Sequence, residues 1–139
     1  MAHPHQLAIL IARPFAGESA MYNDMTAMAQ GLVARGFLTD QIFCLHGRLD
    51  RPLVLSFVQA ASRRVAGWRD GSVFLHVSSH GFVTGKTASE ARAGLLLAAP
   101  SRSRATQAVV ADDDHLFWDD LFAALALPVG VTLTLLPDL

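Results

Sequence analysis

The chain has 139 residues, a formal net charge of −1 and 52% hydrophobic residues, which fits one domain with a sizeable core. All but one of its eleven basic residues are Arg, and they are scattered, so no nucleic-acid footprint is present. No apolar run approaches the roughly eighteen residues that cross a bilayer, and the single cysteine, Cys44, excludes an internal disulfide framework or a multi-cysteine metal site.

The Met1-Ala-His-Pro-His start lacks the basic region and apolar core of a signal peptide, so the expected compartment is the cytoplasm. Gln6 to Ala12 is short, continuous and apolar, the pattern of a strand covered on both faces. Arg13 to Ser19 is a loop punctuated by Pro14 and Gly17. Met21 to Arg35 reads as a helix, with Met25, Met28, Ala29, Leu32 and Val33 on one face and Gly36 as its stop. Gln41 to Leu45 is a second short strand. Pro52 to Trp68 is a second helix, with Leu53, Leu55, Val58, Ala61 and Val65 as its stripe and Arg63 and Arg64 near its C-terminus.

Ser72 to Val77 is the third strand, ending in the polar tip Ser78-Ser79-His80-Gly81. Phe82 to Arg92 reads as a Gly- and Thr-rich loop, and Gly94 to Ala98 as a short apolar strand that could be a hairpin arm. Ser101 to Gln107 reads as an exposed linker, where Arg102 and Arg104 offer a site for nicking. Phe117 to Leu127 is a helix ended by Pro128 and Gly130, and Val131 to Leu136 is the last strand. This alternation predicts an α/β domain over residues 1–139, with a mostly parallel sheet and helices on both faces.

A histidine at the carboxyl end of a buried strand, followed by Gly, stands where an open α/β sheet places chemistry. His80 is therefore the first candidate. Gly81 lets a ligand approach the backbone and has an N–H that can serve an oxyanion. A structural His80 is the alternative on position alone. His76 lies two strand repeats earlier, about 13 Å away, and reads as a satisfied core or edge histidine. Ser79 makes a poor nucleophile for His80, because adjacent strand residues face opposite ways and no Gly-x-Ser-x-Gly elbow is present. Cys44, between Phe43 and Leu45, reads as a small buried hydrophobe. Asp112-Asp113-Asp114 complements the dipole of the helix that follows, with a divalent-cation site as the weaker alternative. No glycine-rich phosphate loop follows the first strand.

The strand ending in Ser78-Ser79-His80-Gly81 resembles the Ser-x-His-Gly signature of caspase-like cysteine peptidases, the metacaspase and orthocaspase branch above all. Asn23-Asp24 at the first helix, Gly36-Phe37 at its exit and Asp138-Leu139 at the last strand agree in order and spacing. The resemblance implies a three-layer caspase-like sandwich of which this chain supplies about four of six strands, its last strand presenting an open edge. It implies His80 as general acid and base, the Gly81 N–H at the oxyanion, and a pocket for Arg or Lys built from Asp24, Ser78 and Asp138. The family's nucleophile is a Cys two residues after the position matching Asp138, so the resemblance places it beyond Leu139, on a complementary C-terminal segment. The implied partners are that segment and a peptide or protein substrate, with no nucleic acid and no membrane. Many metacaspases bind calcium through acids after the His loop, near Asp112 to Asp114. The match there is not residue-specific, and no cofactor is expected. Two further readings stay open: a catalytically inactive caspase-like interaction domain, and a regulatory module that binds a small ligand at the sheet edge.

Overall fold

The computed structural model describes residues 4–98, 101–102, 108–109 and 112–139. Strand β1 (Gln6–Ala12) leads to helix α1 (Ala20–Ala34), β2 (Ile42–His46), α2 (Arg51–Val65) and β3 (Ser72–Ser78). A hairpin of β4 (His80–Thr84) and β5 (Arg92–Leu96) follows, then the two-residue strands β6 (Ser101–Arg102) and β7 (Ala108–Val109). The chain ends with β8 (His115–Phe117), α3 (Trp118–Leu125) and β9 (Thr132–Asp138).

The main sheet has four strands in the order β2-β1-β3-β9, all parallel. The two central strands are apolar enough to lie buried between helices, as parallel strands must. Side chains alternate across β3. Val73, Leu75 and Val77 meet α2 and α3 on one face, while Ala8, Leu10 and Ala12 of β1 meet Met25 and Leu32 of α1 on the other. The expected α/β sandwich is therefore the fold, with one helix on one face and two on the other. Burying each large aliphatic side chain contributes about 1.5–3 kcal/mol, and Leu7, Ile9, Leu10, Ile11 and Leu75 are all shielded from water.

Helix α2 starts where its first turn is satisfied. Asp50, in extended backbone, accepts the Leu53 N–H at 2.9 Å, and Pro52 occupies the first turn of α2. The buried stripe of α2 is Val54, Val58, Ala61 and Val65. It keeps Val58, Ala61 and Val65 of the expected stripe, with Val54 in place of Leu53, which lies at the solvent side. In α1 the expected face holds at Met25, Met28, Ala29 and Leu32, and Val33 alone of that face is exposed.

Three expectations need correction. Residues 80–84 are a strand and not a loop, and they pair antiparallel with β5. Strand β8 joins them in a three-stranded sheet that sends Leu95 and Leu116 into the core. Asp112–Asp114 form a 3-10 turn before β8, so the acids in the first turn of α3 are Asp119 and Asp120 instead. Of the expected linker, residues 101–102 pair with β7, while 103–107, including Arg104, lie outside the described residues.

Candidate active site

Parallel pairing of β1 with β3 sets Ala12 opposite Ser78, and Arg13 extends the ladder by donating its N–H to the Ser78 carbonyl at 2.9 Å. The β1–α1 loop and the β3–β4 junction therefore meet at the carboxyl edge of the sheet. This brings Glu18 to His80, whose Nε2 lies 2.9 and 3.1 Å from the two carboxylate oxygens. Phe15 stacks on the imidazole, with ring centroids 4.5 Å apart. Glu18 also accepts the Phe15 N–H at 3.0 Å. That backbone bond first, and the His80 bond second, hold the Glu18 carboxyl below its ordinary pKa. With Nε2–H donating to Glu18, the neutral imidazole keeps its Nδ1 lone pair for another proton. The arrangement is that of a base oriented by a carboxylate.

Sequence reasoning passed over Glu18. The available signal was a carboxylate in the loop at the same sheet edge as His80. Arg13, in the same loop, is tied elsewhere. Its guanidinium donates to the carbonyls of Leu97 and Pro14 and lines a cleft of about 570 Å³ with Arg48, Asp50 and Asp114. Burial, and then the Arg48 charge, push its pKa down.

Gly81 lies in β4 opposite Leu95. A Cβ placed on it would stand 3.3 Å from Leu139 Cδ1 and 3.4 Å from Leu139 Cβ. The Leu139 side chain thus packs against Gly81, the residue after His80. The Ser79 N–H donates to the Asp138 carbonyl at 3.1 Å, which ties the two strand ends together. The Ser79 hydroxyl donates to the His80 carbonyl at 3.1 Å, away from the imidazole nitrogens.

Asp24 and Asp138 come together. They line one cleft of about 510 Å³ between α1 and the edge strand β9, together with His76, Met28, Leu136 and Arg35. Asp24 lies beyond the first turn of α1, which contains no acid, so it does not serve the helix dipole. Ser78 is opposite Asp138 in register but buried, and its hydroxyl has no hydrogen-bond partner among the described residues. Of the expected trio, the two carboxylates are exposed and line the cleft, while Ser78 is not among its lining residues. His76 is not the fully satisfied histidine that was expected. Its Nδ1 lies 3.0 Å from the Leu136 carbonyl, but its buried Nε2 has no partner among the described residues.

Cys44 is a further correction. It is exposed on the edge strand β2, beside Ala29, Val33 and Ile42. Partial desolvation pushes its thiol pKa up, which disfavours the thiolate. It sits level with His76 across β1, two strand spacings or about 10 Å away in the sheet, and His80 lies further along. Among the described residues, no three His, Cys, Asp or Glu side chains converge on a possible metal position, and no helix is long and apolar enough to cross a membrane. No protein-family model matches the sequence, and no curated protein matches it either.

Proposed function

We infer that this chain is the histidine-bearing portion of a caspase-like cysteine endopeptidase that cuts after Arg or Lys. The approach of Leu139 to Gly81, beside an imidazole whose Nε2 is held by Glu18, carries the reading. A Cys borne just past β9 would face His80 Nδ1. His80 takes the thiol proton, and the thiolate adds to the scissile carbonyl carbon, with the Gly81 N–H supporting the oxyanion. As the C–N bond breaks, His80 returns the proton to the leaving amine. Water, deprotonated by His80, then hydrolyses the thioester. Glu18 is a positioning residue that fixes the tautomer and stabilises the imidazolium, as a carboxylate does in such triads. The cleft with Asp24 and Asp138 receives the cationic side chain through charge-assisted hydrogen bonds, and Ser78 lies level with Asp138 on the neighbouring strand. The partners in this reading are a peptide substrate and the segment carrying the nucleophile, in the cytoplasm.

The test is the gene product that continues past Leu139, assayed on fluorogenic peptides with Arg, Lys or Leu before the scissile bond. Cleavage after Arg and Lys, abolished by His80→Ala with the fold retained, is expected. A residue other than Cys in the matching position, or cleavage that survives His80→Ala, overturns the reading. The placement of Cys44, the one cysteine here, far from His80 favours a second reading, an inactive caspase-like interaction domain. On that reading, the extended protein cleaves none of the three peptides.

A further inference from the structure

Strand β2 forms the edge of the main sheet opposite β9. It pairs with β1 on one side, and on the other it has no strand partner among the described residues. A bare edge of this kind is a template for another chain. Monomeric proteins blunt such edges with charged side chains, proline or a bulge. β2 reads Ile42-Phe43-Cys44-Leu45-His46 and contains no Lys, Arg, Asp, Glu or Pro, and its register with β1 runs without a bulge.

The flanks of this edge are apolar as well. On the face of α1, Ile42 and Cys44 line a cleft of about 420 Å³ with Ala29 and Val33. Cys44, Val33 and Leu38 are exposed, and Tyr22 of α1 lies against His46 with ring centroids 4.8 Å apart. Alternation turns Phe43 and Leu45 to the other face, where they pack half-buried against the core. Charge appears only beyond the strand. Asp40 lies in the 3-10 turn before it, and Arg48 in the bend after it. Both are exposed, and neither side chain is in an ion pair among the described residues.

We propose that β2 is a dimer interface: two copies of this chain join antiparallel along their β2 edges, about a two-fold axis at Cys44. A closed two-fold dimer makes the paired strands equivalent, and antiparallel partners alone exchange equivalent hydrogen bonds. Cys44 is the middle residue of β2, so centring there pairs the whole strand. Phe43 then meets Leu45 of the second copy, Ile42 meets His46, and the two Cys44 side chains face each other across the axis. The same centre brings the acidic turn at Asp40 of each copy to the basic bend at Arg48 of the other, since the two lie four positions to either side of Cys44. The edge is thus its own complement in pattern and in charge, which singles out a second copy as its occupant. The axis stands normal to the sheet, so both α1 helices lie on one side and their apolar clefts adjoin at the junction. Strand β9, with Asp138 and its cleft, stays at the outer edges. The dimer therefore does not depend on what that site does.

The experiment is sedimentation equilibrium of the full 139-residue chain under reducing conditions, with a short bismaleimide as a second readout. A dimer is expected, and the reagent should link it through Cys44, the only cysteine in the chain. Cys44→Lys sets two like charges directly opposite each other and should give a monomer. Cys44→Val, a strand-favouring change, should stay dimeric. Asp40→Arg should weaken the dimer by about tenfold, because two attractive contacts become repulsive, and adding Arg48→Asp should restore it. Circular dichroism checks that each variant folds. If Cys44→Lys does not, the charge reversal and its rescue decide. A chain that stays monomeric up to high micromolar concentration overturns the proposal. So does a dimer that survives Cys44→Lys and escapes the bismaleimide, or one that Asp40→Arg leaves unchanged.

Discussion

The acidic cleft makes the sharpest quantitative prediction. Asp24 and Asp138 are exposed and take part in none of the side-chain hydrogen bonds or ion pairs among the described residues. Replacing either by Asn keeps the shape and orphans nothing in the free protein, so any lost affinity for a cation reports the interaction itself. Two unit charges about 4 Å apart attract by about 1 kcal/mol in water and about 4 kcal/mol at an effective dielectric of 20. The open cleft lies nearer the first limit, because its carboxylates remain in contact with solvent. We therefore expect a loss of about 1–2 kcal/mol per carboxylate, or about 5- to 30-fold in affinity for an arginine amide. The loss should shrink as salt rises, since exposed charges are screened over about 8 Å at 0.15 M ionic strength. Isothermal titration with the arginine amide and its neutral citrulline analogue measures both effects. An equal loss for citrulline, or a loss that ignores salt, would refute the electrostatic account and point to disturbed packing.

The other expectations are more local. Glu18 has a depressed pKa in the fold, so its contribution to stability is fully present above its unfolded value of about 4.3 and disappears as pH falls through the lower folded value. A 13C titration of the Glu18 carboxyl should give a midpoint below that reference, and a midpoint at or above it removes the proposed tie to His80. In the extended enzyme, Glu18→Gln should lower kcat more than it raises KM, because positioning a base matters most in the transition state; a pure KM effect would make Glu18 a binding group. Alkylation of Cys44 in the 139-residue chain should proceed more slowly than that of an unhindered thiol, and Cys44→Ala in the extended protein should leave its proposed peptidase activity unchanged, whereas loss of activity would give this cysteine a role that its strand denies it. Gly71→Ala should destabilise the fold by about 1–3 kcal/mol or more, because Gly71 has φ +119° and a Cβ there would lie 2.4 Å from the His5 carbonyl oxygen. A denaturation midpoint unchanged from wild type would contradict that.

The parallel sheet was legible because its strands announce themselves locally. Gln6 to Ala12 and Ser72 to Ser78 are continuous apolar runs, and the helices between them show their own period and stops. The antiparallel sheet was legible only in β5, which overlaps the apolar hairpin arm expected at Gly94 to Ala98. His80 to Thr84 contains Gly and Thr and has no apolar alternation, and it becomes a strand only because β5 pairs with it. Strand β8 is three residues long and owes its existence to the same partner sheet. The helix stripes were legible except at one edge position each, Leu53 and Val33, where packing leaves the apolar residue at the solvent side.

The candidate site divides along the same line between local pattern and distant contact. Asp138 was set beside Ser78 by the resemblance to caspase-like peptidases, and the observed register brings the two level. Glu18 was missed although its loop reaches the same sheet edge, because its contact with His80 depends on the register that sets Ala12 opposite Ser78. The same sheet also separates charge. Arg13 and Arg48 line one cleft, where Asp50 and Asp114 offset them. Asp24 and Asp138 line the other, across from α1's distant Arg35. An approaching cationic side chain therefore meets net negative charge only in the second cleft. That cleft ends at Asp138, whose carbonyl is bonded to the Ser79 N–H, one residue before His80. In the proposed function, a side chain anchored there would hold its own backbone at the edge where His80, Glu18 and Gly81 meet, so one geometry would serve both the choice of charge and the placement of the scissile bond.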